Sequence, residues 1–328
     1  MGSPTAAGAG GTGTLPAQPG GGWVAVAANA YAGRGAGRGH VDRLVAALAR
    51  EGLATRVAWT LDERDTLLAQ ADADPSCRAL VVAGGDGTVA AVLDGRPAVP
   101  VAVLPVGTEN LFARHFRFRR RPEALARTIA EGRAWPLDLG LAAGRSFALM
   151  AGFGFDADVV TRHHRARVGD GGTPRPTNRA AYVAPLLQAS LAYRFGPLTV
   201  RVDDPGPAET LEGTTVFVFN LPRYALGLPF APDARGDDGL LDLVVFERPG
   251  ALNAAHYLWL VLRGLHLRRR GVHHRRARRV TIAAAEAVPV QLDGDPGGTV
   301  EPGAPWTVAV VPGAVRVLVP ASYVAAQD

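Results

Sequence analysis

Two glycine turns, each closing an apolar run, carry the residues whose types and spacing could do chemistry. The run Ala79 to Ala83 ends in Gly84-Gly85-Asp86-Gly87-Thr88, and Val101 to Pro105 ends in Val106-Gly107-Thr108-Glu109-Asn110. Gly84, Gly85 and Gly87 remove the Cβ atoms that would keep a ligand off the backbone. Their N–H groups, with the start of a following helix, form a seat for an anion such as phosphate. Asp86 inside that seat would repel a bare phosphate. It therefore points to a bound cation, or to a hydroxyl that must lose its proton. A third turn, Asn29-Ala30-Tyr31-Ala32-Gly33-Arg34-Gly35, follows the apolar run Val24 to Ala28 and adds a further phosphate contact.

Elements able to position these turns are legible upstream and downstream. Residues 23–136 alternate short apolar runs with helical patterns: Val41, Leu44, Val45 and Leu48 recur at helical spacing. Strand-like Leu53 to Thr60 and helical Leu61 to Ala71 follow, and Pro122 to Gly132 forms a later helix. Such alternation predicts a parallel sheet covered by helices. Both glycine turns then fall at the same end of the sheet, where open α/β sheets bind ligands. Past Pro136 the pattern becomes a series of short strands, among them Ser146 to Ala151, Thr214 to Phe219, Trp306 to Val311 and Val315 to Val319. This predicts an antiparallel sandwich, interrupted by a helix over Asn178 to Tyr193 and a loop over Arg165 to Thr177.

Composition narrows the chemistry. The chain has 328 residues, 48% of them hydrophobic, enough for two domains. All 35 of its Lys+Arg residues are arginine, and the net charge is +5. Without lysine there is no Walker A lysine, no Schiff base and no lysine general base. A phosphate site must use backbone N–H groups, arginine and metal. Cys77 is the only cysteine, which excludes an intrachain disulfide and fits a reducing cytoplasm. Residues 1–22 read as a disordered Gly/Ala/Pro/Thr tail without the features of a signal peptide. No transmembrane run is present.

In sequence order, these segments resemble the diacylglycerol kinase catalytic domain family, which includes sphingosine kinases and bacterial lipid kinases. Asn29-Ala30-Tyr31-Ala32-Gly33 is similar to its opening loop, with Ala30 where proline is usual. Gly84 to Thr88 is similar to its signature, and Leu104 to Asn110 to its Pro-x-Gly-Thr-x-Asn motif. Asp138-Leu139-Gly140, the loop Ala231 to Asp242 and Leu292-Asp293-Gly294-Asp295 complete the series. The resemblance implies a phosphofructokinase- and NAD-kinase-like three-layer α/β domain over 23–136, rejoined by 313–328. An antiparallel β-sandwich lipid domain over 137–312 follows, with the active site in the cleft between them.

The implied activity is transfer of the γ-phosphoryl group of ATP to a lipid hydroxyl, with Mg²⁺. Asn29, Thr60, Gly84, Gly85, Asp86, Gly87, Thr88, Gly107, Thr108 and Asn110 would contact nucleotide. Asp86 and Asp138 would organise the catalytic Mg²⁺. The family often has Asp where this chain has Leu111, so one acid of that network is absent, and Glu109 is the nearest substitute. Asp238, with the carbonyls of Arg235 and Leu240, would bind a structural Mg²⁺; an acidic, Gly-containing turn suits a hard cation. Asp293 and Asp295, two apart at a strand end, are the candidates for general base. If the backbone is extended, both face the cleft. An NAD kinase-like enzyme and a non-catalytic nucleotide- or lipid-binding homologue are the alternatives.

Two basic segments are candidates for contact with an acidic membrane surface, which would make the protein cytoplasmic and peripherally membrane-associated. One interleaves Arg114, Arg117, Arg119, Arg120 and Arg121 with Phe112, Phe116 and Phe118. The other runs from His256 to Arg279, apolar first and arginine-rich after. No nucleic-acid recognition motif accompanies the arginines, and a homodimer is among the assemblies the sequence allows. The pairs His163-His164 and His273-His274 lack metal-ligand spacing and read as surface residues.

Overall fold

The structure is a computed structural model that describes residues 13–15, 22–29, 37–168, 196–204 and 206–324. An N-terminal α/β domain is followed by a C-terminal antiparallel β domain. The strands β2 (Trp23–Ala28), β3 (Ala54–Ala58), β4 (Cys77–Gly84) and β5 (Val101–Pro105) lie parallel in the order β3-β2-β4-β5. β2, β4 and β5 are buried along their whole length, as expected of central strands covered on both faces. Helix α1 (Gly37–Arg50) carries the chain outward from β2 to β3. Helix α2 (Leu61–Ala73) carries it back across β2 to β4. Right-handed crossovers in opposite directions put these helices on opposite faces, giving three layers. Helix α5 (Pro122–Glu131) packs beside α1.

Two short helices follow the glycine turns: α3 (Asp86–Asp94) after β4 and α4 (Leu111–His115) after β5. Strand β6 (Arg133–Ala142) then pairs along the final strand β17 (Trp306–Leu318). β17 fuses the two strands expected over 306–311 and 315–319 into one, with a register shift between Val311 and Val315. At its end Val317 pairs parallel with Val101 of β5, so the C-terminal segment returns to the α/β sheet. Tyr323 beyond it packs its ring against His115, Phe116 and Trp135.

The sandwich faces the first half of β17, with β9 (Leu198–Asp204), β10 (Glu209–Gly213) and β14 (Arg279–Ala284), against a second sheet. That sheet runs β13 (Val272–Ala277), β12 (Leu241–Phe246), β11 (Thr215–Phe219), β8 (Met150–Gly154), β15 (Val288–Leu292), β16 (Asp295–Val300). Val200, Val280, Ile282 and Val308 of one sheet share a core with Phe153, Val218, Leu243 and Val290 of the other. Helix α6 (Phe155–Val168) packs on β15 and β16.

Several expectations are corrected. The tail is not wholly without structure, because β1 (Gly13–Thr14) pairs antiparallel with Arg133 and Ala134 of β6. Residues 1–12 and 16–21 lie outside the described residues, as do Ala30 to Gly35 and the helix expected over Asn178 to Tyr193. The loop expected from Arg165 begins inside α6. The strand expected over Ser146 to Ala151 is broken into β7 (Arg145–Phe147) and β8, with Ala148 and Leu149 between them.

The first membrane candidate is not a surface patch. Phe112, Phe116 and Phe118 are buried in the α/β core, because α4 turns its aromatic side inward. His163 is buried as well, and His273 and His274 reach Glu247 and Asp242 at 2.5 and 2.7 Å. Among the described residues no helix is long and apolar enough to cross a membrane. If the Phe112–Phe116–Tyr323 contact holds the last segment on the first domain, Phe116→Ala should remove about 3–5 kcal/mol. A urea titration should show the α/β domain unfolding at lower denaturant than in the parent.

Candidate active site

The parallel strand order reverses direction between β2 and β4, since β2 connects outward to β3 and β4 onward to β5. Such a switch point opens a crevice at the carboxyl ends of the strands. Asn29 leaves β2 there and Gly84-Gly85 leave β4. The two sides are tied by Asn29 Nδ2, which donates to Thr88 Oγ1 at 3.2 Å. The second glycine turn is pressed against the first. A Cβ on Gly107 would lie 2.5 Å from the Cα of Gly85, and one on Gly84 would lie 2.4 Å from the Thr88 Cβ. Glycine is needed at these positions so that the two loops can touch.

Asn110 holds the second turn closed. Its Oδ1 accepts from Gly107 N at 3.0 Å, and its Nδ2 donates to Gly107 O at 2.7 Å. Those bonds, together with its left-handed φ of 49°, make it the clamp of this loop. Arg120 adds bonds to Pro105 O and Gly107 O. Thr108 is exposed on the same turn. Thr60 has a different task. It caps α2 in a reciprocal capping box, its Oγ1 accepting from Glu63 N while Glu63 accepts from Thr60 N.

Asp86 opens α3, where the first N–H groups of a helix have no partner within it. Its Oδ1 accepts from Phe112 N at 3.0 Å, which links the starts of α3 and α4. Burial raises its carboxyl above the usual range. The N–H groups of Leu111, Phe112 and Asn110 oppose that shift, and the Glu109 charge adds to it. Glu109 thus acts on Asp86, whereas Leu111 is buried among apolar neighbours.

The hairpin between β15 and β16 supplies the facing wall. Leu292 pairs with Asp295, leaving Asp293-Gly294 as a two-residue turn with φ of 52° and 88°. The backbone here is left-handed, not extended as expected, in the manner of a type I′ turn. This conformation separates the two acids. Asp293 turns inward: its Oδ2 accepts from Ala148 N at 2.7 Å, and its Oδ1 from Leu149 N at 2.7 Å and Met150 N at 2.9 Å. The break between β7 and β8 exists because these N–H groups point at a carboxylate and not along a ladder. Burial pushes the Asp293 carboxyl up to about 6 against those three donors, and the Asp86 charge adds to the rise. Asp295 stays half-buried and open. A Cβ on Gly87 would lie 3.3 Å from its Oδ2.

A crevice joins these walls, lined by Gly87, Ala91 and Asp94 of α3, by Arg145, and by Asp293 and Asp295. The glycine turn of one domain and the acidic hairpin of the other therefore share one site. Arg145, brought in by the β6–β7 hairpin, supplies a cation that sequence motifs do not mark.

Asp138 stands elsewhere. Its Oδ1 accepts from Gly313 N and its Oδ2 from Gly239 N, both at 2.7 Å. Its electrostatic neighbours are Asp238 and Asp237. Asp138, expected to share a cation with Asp86, is tied to the 235–242 loop: its own N–H donates to Gly236 O at 2.7 Å. Asp238 there accepts from Leu240 N at 3.0 Å and is paired with the Arg276 guanidinium. Burial raises the carboxyls of Asp138 and Asp238, and neighbouring carboxylates raise them further.

Sequence motifs gave no sign of two buried amides. Asn220, fully buried, donates to the carbonyls of Asp138 and Ala148 at 2.8 and 2.9 Å, bridging the 235–242 loop and the Asp293 cage. Gln291, also fully buried, donates to Asp156 Oδ2 at 3.0 Å and accepts from Gly294 N at 2.8 Å. Asp156, at the start of α6, has its carboxyl pushed up to about 6 by burial. The signal for these residues is only a polar side chain within an apolar strand.

Among the described residues no three His, Cys, Asp or Glu side chains form a ready-made metal cage. Mg²⁺ needs none: it keeps waters and takes one or two carboxylates beside phosphate oxygens. Asp86 beside the glycine turn fits that demand. The crowded carboxylates around Asp238, with main-chain carbonyls in the same turn, fit a second cation.

Comparison with known proteins agrees with this arrangement. Residues 24–142 match the family model for the diacylglycerol kinase catalytic domain, and residues 150–319 match that for the YegS C-terminal NAD kinase beta sandwich-like domain. A Pseudomonas aeruginosa protein named "Probable lipid kinase YegS-like" is 31% identical over 298 residues, covering 88% of this chain and 92% of that one. A diacylglycerol kinase of Mycobacterium tuberculosis is 29% identical over 251 residues, covering 74% and 77%. The crystal structure of a diacylglycerol kinase from Bacillus anthracis is 18% identical, covers 92% of this chain and 98% of that one, and superposes with a TM-score of 0.65. At that identity it supports the fold alone.

Two outcomes test the geometry. Gly107→Ala drives a methyl into Gly85, so it should cost about 1–3 kcal/mol and spread the two turns, read as a lower melting temperature and weakened nucleotide binding. Burial raises the Asp156 carboxyl in the folded state to about 6, above the ordinary carboxylate range. The stability it gives is full below the unfolded value and is lost as pH rises through the folded one. Melting temperatures of the parent and Asp156→Asn should therefore diverge between about pH 4 and pH 7, the parent losing ground as pH increases.

Proposed function

The chain belongs to the family of diacylglycerol kinases and YegS-like lipid kinases, and we propose that it transfers the γ-phosphoryl group of ATP to a hydroxyl of a diacylglycerol-like or sphingoid lipid. The observation that carries this reading is the crevice in which Gly87 of the glycine turn faces Asp295 and Asp293 of the hairpin. Phosphoryl transfer is mostly positioning and charge neutralisation. It needs a phosphate seat and a proton acceptor within one cleft, and the glycine turn beside the acidic hairpin supports that reading.

When bound, ATP with Mg²⁺ supplies the phosphoryl group and the cation that offsets its charge. The main-chain N–H groups of Gly84 to Thr88 orient the phosphates, with Asn29 and Thr108 at the rim. Asp86 would hold the cation through its carboxylate, and Asp238 with the carbonyls of Arg235 and Leu240 would hold a second, structural one. Arg145 takes the place a lysine has in other phosphate sites. Asp295 is the general base: it lies open in the crevice and draws off the proton of the acceptor hydroxyl as that oxygen attacks phosphorus. Asp293 is its anchor, because both of its oxygens are held by main-chain N–H groups. The reaction takes place at the surface of an anionic membrane, in the cytoplasm, where the lipid is presented.

Transfer of label from γ-labelled ATP to a panel of dispersed lipids tests the assignment, with NADP formation from NAD as the control arm. Asp295→Asn should lower kcat by about 10²–10³-fold with KM for ATP little changed. Asp86→Ala should abolish transfer. Equal transfer by parent and variants, or formation of NADP alone, removes the proposal.

A further inference from the structure

The second basic segment changes character in three dimensions. Arg275, Arg276 and Arg278 lie on or beside β13 and are paired with Glu209, Asp238 and Asp204. What stays unpaired is the connection before them. Helix α7 (Ala251–Leu262) is apolar except for Asn253 and His256, yet it lies at the surface. Tyr257, Leu260 and Val261 bury one side, and the Tyr257 ring contacts Phe246 with centroids 4.6 Å apart. The opposite side carries Leu252 at 88% exposure, Leu258 at 40%, Trp259 at 50% and Leu262 at 60%, with Leu265 continuing it at 43%. Leu252, Trp259 and Leu262 share a helical face by spacing.

Charge says what covers this face. No acidic residue occurs between Glu247 and Glu286. Arg263, Arg268, Arg269 and Arg270 flank the apolar strip, all exposed, and none makes an ion pair among the described residues. Arg263 lies 6.0 Å from the centre of the Trp259 ring. Leucines and a tryptophan fenced by free arginines match an anionic lipid interface: the side chains enter the acyl boundary while guanidinium groups meet the headgroups. A second copy of this chain would bring the same arginines against one another, which disfavours self-pairing across the strip.

Position ties the strip to the site. Ala254 of α7 packs on Phe155 and Val159 of α6. The next residue of α6, Asp156, is hydrogen-bonded to Gln291, which holds the turn that presents Asp293 and Asp295. We propose that α7 and the arginines after it form the membrane-docking surface of this protein, lying in the interface of an anionic leaflet beside the substrate side of the β domain. This rests on the lipid-kinase reading for its purpose, but not for its test.

The test is co-sedimentation of the full chain with phosphatidylcholine vesicles and with equimolar phosphatidylcholine–phosphatidylglycerol vesicles, without ATP. Binding should require phosphatidylglycerol and weaken with added salt. The combined variant Leu258→Ala, Trp259→Ala, Leu262→Ala should bind at least tenfold more weakly. The combined variant Arg268→Gln, Arg269→Gln, Arg270→Gln should bind about a hundredfold more weakly. All these side chains are exposed, so both variants should keep the parent's melting temperature and its turnover of detergent-dispersed lipid. Binding that ignores lipid charge, or that survives in both variants, overturns the docking surface. So does a concentration-dependent dimer dissolved by the apolar variant while vesicle binding persists. Vesicle binding as expected without phosphorylation of any lipid would remove the kinase reading and leave the docking surface standing.

Discussion

The three main-chain N–H groups of Ala148, Leu149 and Met150 converging on the Asp293 carboxylate are the contact around which the rest of the site is arranged. A carboxylate with 8% exposure is costly to bury unless donors surround it. Here the donors come from a break between two strands, so the cost of interrupting the ladder is offset by the ionic hydrogen bonds. The cage fixes the hairpin tip in left-handed backbone, and that tip presents Asp295 to the glycine turn. Asn220 and Gln291 then brace the cage from either side.

The two domains are joined by continuous strands and not by a flexible linker. β6 and β17 run side by side through the antiparallel part and reach the α/β sheet, where Val317 pairs with Val101. A rigid junction of this kind sets the spacing between the phosphate seat and the acidic hairpin. Asp138 sits in β6 at that junction and binds Gly313 and Gly239. Asp138 thereby stabilises the seam and the 235–242 loop, while Asp86 links the starts of α3 and α4 through Phe112 N.

The absence of lysine gives the site an unusual division of labour. Backbone N–H groups, whose direction is set by the fold, take over contacts that a flexible ammonium makes elsewhere. Close contact of Gly85 with Gly107 then matters, because it sets where the main-chain groups of the two turns stand. Arginine supplies the remaining positive charge at Arg145 and, on the outer surface, along the strip after α7.

How much of this was legible depends on the range of the interaction. Glycine turns after apolar runs, the change from alternating to strand-only pattern, and the ordered acidic motifs are local features. They sufficed for the fold class, the placing of the two glycine turns and the family resemblance, because propensity and turn chemistry act over a few residues. Thr60 reads in sequence as a ligand contact, and the structure adds that its hydroxyl caps α2. Phe112, Phe116 and Phe118 looked like a membrane patch, because alternation with arginine does not reveal which side faces the core. Which of Asp293 and Asp295 is open, the tie of Asp138 to Gly313 and Gly239, and the contacts of Arg145, Asn220 and Gln291 were decided by tertiary structure alone. Each depends on backbone groups from segments far apart in the chain. A sequence records which donors and acceptors exist; only the packed fold determines which of them meet.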